Sequence, residues 1–204
     1  MSMTLRPRIQ TLSTLACAGL LLAACATPGS YTSQAKVAPY RETIDLGGRL
    51  SVNYQKDGNP ETISVKFAWA QVPGRIDLDL ATPLGQTVAR ISVTPGSATL
   101  TQANQAPRAA ADIDSLTRQT LGWSLPVAGL RDWVQGYATD ASGARFAASP
   151  VRHSVTTDDG WRLRFVSWQD PDAARPVPRR IDAERSATAS ADALAIRIVL
   201  DPQP

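Results

Sequence analysis

Between Leu50 and Leu100 apolar and polar residues alternate with a period of two, and this confines the chain to antiparallel β structure. Leu50, Val52 and Tyr54 alternate with Ser51, Asn53 and Gln55; after the turn Asp57-Gly58-Asn59-Pro60, Ile63, Val65, Phe67 and Trp69 alternate with smaller or polar residues. These two runs predict a β-hairpin. Pro73-Gly74 marks the next turn, after which Ile76, Leu78 and Leu80 alternate with Arg75, Asp77 and Asp79. Ala89, Ile91 and Val93 continue the pattern, Pro95-Gly96 turns the chain, and Ala98 and Leu100 begin another strand. Turns this short cannot make parallel crossovers, so the meander is antiparallel.

From Ala109 the period changes. Asp112 as an N-cap, a stripe of Ile113, Leu116 and Leu121, and Gly122 as a stop predict a helix within 109–121. Val127, Leu130, Trp133 and Val134 predict a second helix, with Pro126 at its start and Gly136 after its end. Further strands are expected at Ala144–Ala148, Val151–Thr157, Trp161–Trp168, Arg179–Glu184 and Ala195–Leu200, with 171–178 a proline-rich connection. Internal repeats are absent. A content of 43% hydrophobic and 19% charged residues suits one globular domain with a sizeable core. The fold class is therefore mainly β (α+β), a twisted antiparallel sheet interrupted by short helices, and such a sheet must bury one face. If it curls and the helices close the opening, its inward residues line an apolar chamber. A fully packed α+β core satisfies the same pattern.

The amino terminus carries an export signal. Met1 to Arg8 is basic, and Ile9 to Ala24 is an apolar run too short to span a membrane but suited to the apolar region of a signal peptide. It ends Leu22-Ala23-Ala24-Cys25, which resembles the bacterial lipobox, so residues 1–24 are expected to be cleaved and Cys25 to be acylated. Cys17 would leave with the leader, and the remaining lone cysteine could form no internal disulfide. Ala26 stands where lipoproteins kept in the inner membrane often have Asp, which points to an outer-membrane destination. Small and polar residues broken by Pro28 and Pro39 predict a flexible tether through about residue 40, and a folded domain from 41 onwards.

Without Arg6 and Arg8 of the leader, 19 basic residues face 18 acidic ones, interspersed along the chain. That balance argues against a nucleic-acid partner. One histidine, His153, excludes a multi-histidine metal site. Phosphate loops, C-x-x-C, H-E-x-x-H and G-x-S-x-G are absent, so no catalytic residue and no cofactor is assigned. Asp77 and Asp79 alternate with Ile76, Leu78 and Leu80 and read as a solvated face rather than paired acids. His153 reads as a surface or structural residue, a hydrolase built on it being a remote alternative. Two segments look chosen for something other than packing. Pro83 and Gly85 hold a turn around Leu84, which offers a large apolar side chain where polar ones are usual. The stretch 121–136 sets Trp123 and Trp133 among leucines, either over a lipid site or within a core.

Taken together, the lipobox, the Gly48-Arg49-Leu50 strand opening, Phe67-x-Trp69, the Thr82-Pro83-Leu84-Gly85 loop and Leu125-Pro126-Val127-x-Gly129-Leu130-Arg131-Asp132-Trp133-Val134-x-Gly136 resemble the LolB family of outer-membrane lipoprotein receptors. The likeness covers residues 41–140 in order; beyond 144 only the strand pattern carries it. The resemblance implies a half-open antiparallel β-barrel lidded by short helices, enclosing an apolar cavity for the acyl chains of other lipoproteins. It implies a monomer at the periplasmic face of the outer membrane that takes cargo lipoproteins from the soluble carrier LolA and inserts them among the membrane's phospholipids, with no enzymatic step. Leu84, held by Pro83 and Gly85, corresponds to the family's membrane-insertion loop; Asp132 falls at a variable place and has no role assigned. Such a cavity should be lined by Val65, Phe67, Trp69, Leu78, Leu80, Ile91 and Leu100 of the strands and by Trp123, Leu130 and Trp133 of the lid. The alternative function is that of a passive β-rich envelope scaffold with a solid core.

Overall fold

The computed structural model describes residues 33–56, 58–121, 123–189 and 191–202. The expected leader and Cys25 lie outside them. The alternating stretch folds as β1 (Ile44–Lys56), β2 (Asn59–Val72), β3 (Arg75–Ala81), β4 (Thr87–Thr94) and β5 (Ser97–Gln102), each antiparallel to the next. Gly74 and Gly96, both at φ +75°, follow Pro73 and Pro95 in the two-residue turns, where a Pro-Gly pair supplies the needed backbone. After β6 (Arg108–Ala110) come α1 (Ile113–Leu121) and α2 (Val127–Trp133), a small two-stranded sheet of β7 (Tyr137–Thr139) and β8 (Arg145–Ala147), and then β9 (Ser154–Thr156), β10 (Arg162–Trp168), β11 (Pro178–Arg185) and β12 (Leu194–Leu200).

Ten strands form one sheet in the order β6-β5-β4-β3-β2-β1-β12-β11-β10-β9. The pairing register converts the alternation into continuous apolar ridges on one face. Leu46 faces Trp69, Trp69 faces Leu78, Leu78 faces Ile91 and Ile91 faces Leu100. On the other half, Leu50 faces Ile198, Ile198 faces Ile181 and Ile181 faces Phe165. All of these side chains are more than nine-tenths buried, each worth about 1.5–3 kcal/mol on removal from water. A flat sheet of ten strands at about 4.8 Å spacing would span roughly 43 Å, about twice what two helices can cover. The sheet instead curls around its own apolar face, while its edges β6 and β9 stay unpaired with each other, giving a half-open rather than a closed barrel.

The helices and the small sheet cover the concave side. α1 packs on β5 and β6, Trp123 sits 5.8 Å from Tyr54 of β1, Trp133 of α2 sits 5.5 Å from Trp161, and Phe146 of β8 stacks on Phe165 of β10. Gly48 occupies an inward position because a Cβ there would lie 2.3 Å from the Val199 carbonyl oxygen and 2.9 Å from the Phe67 ring, which covers it. Every described core residue falls between Val37 and Leu200, within the compact unit Tyr31–Pro204. Among the described residues no helix is long and apolar enough to cross a membrane.

Several elements differ from expectation. Residues 108–110 do not open a helix but pair with Ala98–Leu100 as β6, because sheet pairing outweighs the weak local preference of an Arg-Ala-Ala run. α1 then starts where the cap dictates: the Asp112 carboxylate accepts the Ser115 backbone N–H at 2.7 Å. The strand expected over Val151–Thr157 shrinks to β9, and β7 is a strand with no alternation to announce it. Within the stretch read as tether, the Val37 N–H donates to the Ala148 carbonyl at 3.1 Å and Tyr137 donates its hydroxyl to the Ala38 carbonyl at 2.6 Å. Chain from Val37 onwards is thus docked on the folded body.

Candidate functional site

The ten residues expected around an acyl cavity come together in one cluster. Phe67, Trp69, Leu78, Ile91, Leu100, Leu130 and Trp133 are buried, and Val65, Leu80 and Trp123 are half-buried against them. They sit there because inward strand positions and the apolar side of α2 meet beneath the lid. Inside this apolar body the indole N–H groups of Trp123, Trp161 and Trp168 have no hydrogen-bond partner among the described residues. A buried donor left unpaired costs about 1–3 kcal/mol.

A cleft of about 560 Å³ opens where the β2–β3 and β4–β5 turns meet α2. Its apolar walls are Ile76, Val93, Ile113 and Val127, and Tyr40, Arg131 and Asp132 stand at it. None of the ten expected cavity residues lines it. Ile76 and Val93 belong to the same period-two pattern, and Ile113 and Val127 to the helical stripes, so the sequence marks them as apolar without showing that they border an opening. Tyr40 binds this edge together: its hydroxyl accepts from Arg131 Nε at 2.7 Å and from Gln71 Nε2 at 3.1 Å, while Arg131 also pairs with Glu42. Burial holds the Asp132 carboxyl above its ordinary range, opposed by Arg145 and Arg131.

The loop joining β3 to β4 presents Leu84 to solvent at 93% exposure; the other large apolar side chains exposed among the described residues, Val72, Val88 and Val151, each show less than half of that. The Thr82 N–H donates to the Gln86 carbonyl at 2.8 Å, the Gly85 N–H to the Thr82 carbonyl at 2.9 Å, and Thr82 Oγ1 accepts the Gln86 N–H at 3.2 Å. Gly85 takes φ +91°, which Leu or any other L residue would resist. The tip is therefore shaped by its own backbone and does not fold Leu84 back onto the core.

Asp77 and Asp79 lie on the outer face as expected, ion-paired with Arg75 and Arg90 at 2.6 and 3.0 Å. His153 is exposed. Among the described residues no three His, Cys, Asp or Glu side chains gather as a metal would need. Cys25 lies outside the described residues.

The model of the family described as Outer membrane lipoprotein LolB matches residues 42–202. An Outer-membrane lipoprotein LolB of Cupriavidus necator is 41% identical over 190 residues, covering 91% of this chain and 92% of that protein. The protein of the same name from Chromobacterium violaceum is 33% identical over 171 residues, covering 81% and 87%. A LolA superfamily protein of Nitrosomonas europaea aligns with 80% of this chain and 86% of its own at a TM-score of 0.43 and 5% identity. With the family match running from Glu42 at the head of the sheet to Pro202 beyond its last strand, the chain belongs to the LolB family of outer-membrane lipoproteins.

Proposed function

We propose that the protein, anchored at the periplasmic face of the outer membrane by an acylated Cys25, receives lipoproteins from the carrier LolA and inserts them into the membrane's inner leaflet. The observation that carries this reading is Leu84, an apolar side chain 93% exposed on a hydrogen-bonded loop. Family membership makes the chain an outer-membrane lipoprotein of the lipoprotein-localization pathway, and the finer steps follow from physics. An acyl chain costs about 0.8 kcal/mol per CH₂ in water, so it must pass directly from one apolar interior to the next. Residues from Val65 to Leu100 on the strands and Trp123, Leu130 and Trp133 on the lid supply that interior once the lid parts from the sheet, and the indole N–H groups would donate to the guest's carbonyl oxygens. Direction then needs only a difference in affinity, about 1.4 kcal/mol for each factor of ten. The protein works as a monomer and consumes no nucleotide in this scheme.

Leu84→Glu tests it. Moving a leucine from water to an apolar phase is worth about 1.5–3 kcal/mol, which the carboxylate replaces with a desolvation cost. The variant should fold, take cargo from its carrier, and fail to pass it into liposomes. Normal insertion by this variant would defeat the reading. The mutual packing of the ten interior residues favours a second reading, a scaffold with a solid core. Stoichiometric binding of an apolar fluorescent probe would refute the scaffold, and its failure to bind would refute the cavity.

A further inference from the structure

The outer face of the sheet holds a cluster of charge that the lipid-handling interior does not use. Arg49 of β1 and Lys66 of β2 are direct cross-strand partners, both exposed, and neither forms an ion pair among the described residues. Like charges set opposite each other on adjacent strands repel and cost stability. In the same row Arg49 pairs with Val199 of β12, which pairs with Arg180 of β11. Two residues along this face, Arg180, Arg197 and Arg164 share the single carboxylate of Asp182 at 2.7, 3.2 and 3.5 Å. Two acids on this side are engaged elsewhere, Asp79 with Arg90 and Glu184 with Arg162. Three arginines thus share one carboxylate, and Arg49 and Lys66 stand on the same face without an ion pair among the described residues.

A groove of about 430 Å³ runs over Arg49, Ser51, Ser64, Lys66 and Arg197, and Pro83 forms part of its wall. Pro83 is the residue before Leu84. A cationic groove and a solvent-exposed leucine are therefore contiguous, and a phospholipid surface is the partner that offers phosphates directly above an apolar phase. A soluble anion would leave Leu84 without a partner.

We propose that this groove docks the anionic headgroups, through their phosphates, of the phospholipid surface that Leu84 enters; the proposal rests on the reading of Leu84 as a membrane loop. The cations would hold the body over the bilayer while the tip inserts, and the repulsion between Arg49 and Lys66 would be relieved on docking.

Residues 26–204, which contain every described core residue, are sedimented with vesicles of phosphatidylcholine alone and of phosphatidylcholine mixed equally with phosphatidylglycerol. Binding should be tighter to the anionic vesicles and should fall with added salt. Arg49→Gln with Lys66→Gln should weaken binding to anionic vesicles about thirtyfold, near fivefold for each cation, and leave it unchanged on neutral ones. The melting temperature of this double variant should be equal to or above that of the parent, which separates lost docking from lost folding. Equal binding to both vesicle types, an unaffected double variant, or displacement from anionic vesicles by inorganic phosphate at matched ionic strength would each overturn the proposal. Leu84→Glu distinguishes the two readings, since it should weaken binding to both kinds of vesicle. If it has no effect while the double variant loses anionic binding, headgroup docking stands and the membrane-loop reading falls.

Discussion

Replacing Asp182 with asparagine removes the carboxylate on which three arginines converge while keeping its shape, and fold stability and vesicle binding should then move in opposite directions. Asp182 is only 8% exposed, and Arg180 grips it with two hydrogen bonds of 3.0 and 2.7 Å. Burial alone would raise its pKa; the hydrogen bond and charge of Arg180, joined by Arg197, outweigh that and hold it below the ordinary carboxylate range. Breaking a fully buried pair costs about 3–5 kcal/mol and an exposed one about 0–1. With the Arg180 side chain 33% exposed and those of Arg197 and Arg164 at 57% and 60%, an intermediate loss of about 2 kcal/mol is expected at neutral pH. For a body of this size that lowers the melting temperature by about 4–8 °C. Because the folded-state pKa is depressed, the contribution is complete above the unfolded carboxylate pKa and is lost as pH falls through the folded one. Urea unfolding of residues 26–204 and of the variant should therefore differ by the full amount at pH near 7. The difference should begin to shrink below about pH 4, where the unfolded carboxylate takes up its proton, and close only below the depressed folded-state pKa, where a protonated aspartate and an asparagine carry the same charge. Meanwhile the groove gains one unit of net positive charge, and binding to phosphatidylglycerol vesicles should tighten about fivefold. A stability difference independent of pH, or below about half a kcal/mol at neutrality, would refute the assignment of Asp182 as the hub of this cluster.

Gly48→Ala should destabilise the protein by about 3 kcal/mol in urea unfolding, since the added Cβ meets the Val199 carbonyl inside the central strand pair, and a loss under about 1 kcal/mol would mean that the pair can spread. Trp69, Trp133, Trp161 and Trp168 are buried and Trp123 half-buried, so filling the interior with a fatty acid should shift tryptophan emission; an unchanged spectrum at saturation, with no uptake of an apolar probe, counts against a chamber. In cells, Cys25→Ala should abolish incorporation of labelled palmitate and release the protein from the membrane, whereas continued labelling would show that another residue is acylated.

Local pattern was enough to read most of the sheet. Alternation assigns each strand residue to one of two faces, so the inward placement of Trp69, Leu78, Ile91 and Leu100 was legible as soon as one face had to be buried. The Pro-Gly turns, the Asp112 cap and the Pro126 start of α2 were legible for the same reason: each is a backbone constraint within a few residues. Leu84 could be placed on a turn, but whether it points outward or folds back depends on the space around the loop. Pairing between partners far apart in the chain left no local trace. β12 closes on β1 across some 150 residues, Val37 docks beside Ala148, and β6 and β7 are strands because a neighbour offers hydrogen bonds rather than because their residues prefer it. The groove is the clearest case. Arg49, Lys66, Arg180 and Arg197 are unremarkable charges in an evenly mixed sequence, and they become a single cationic surface when β11, β12, β1 and β2 align in register. Periodicity encodes the side of the sheet to which a residue points, whereas strand order and register, set by how the whole apolar face is buried, choose the neighbours on that side.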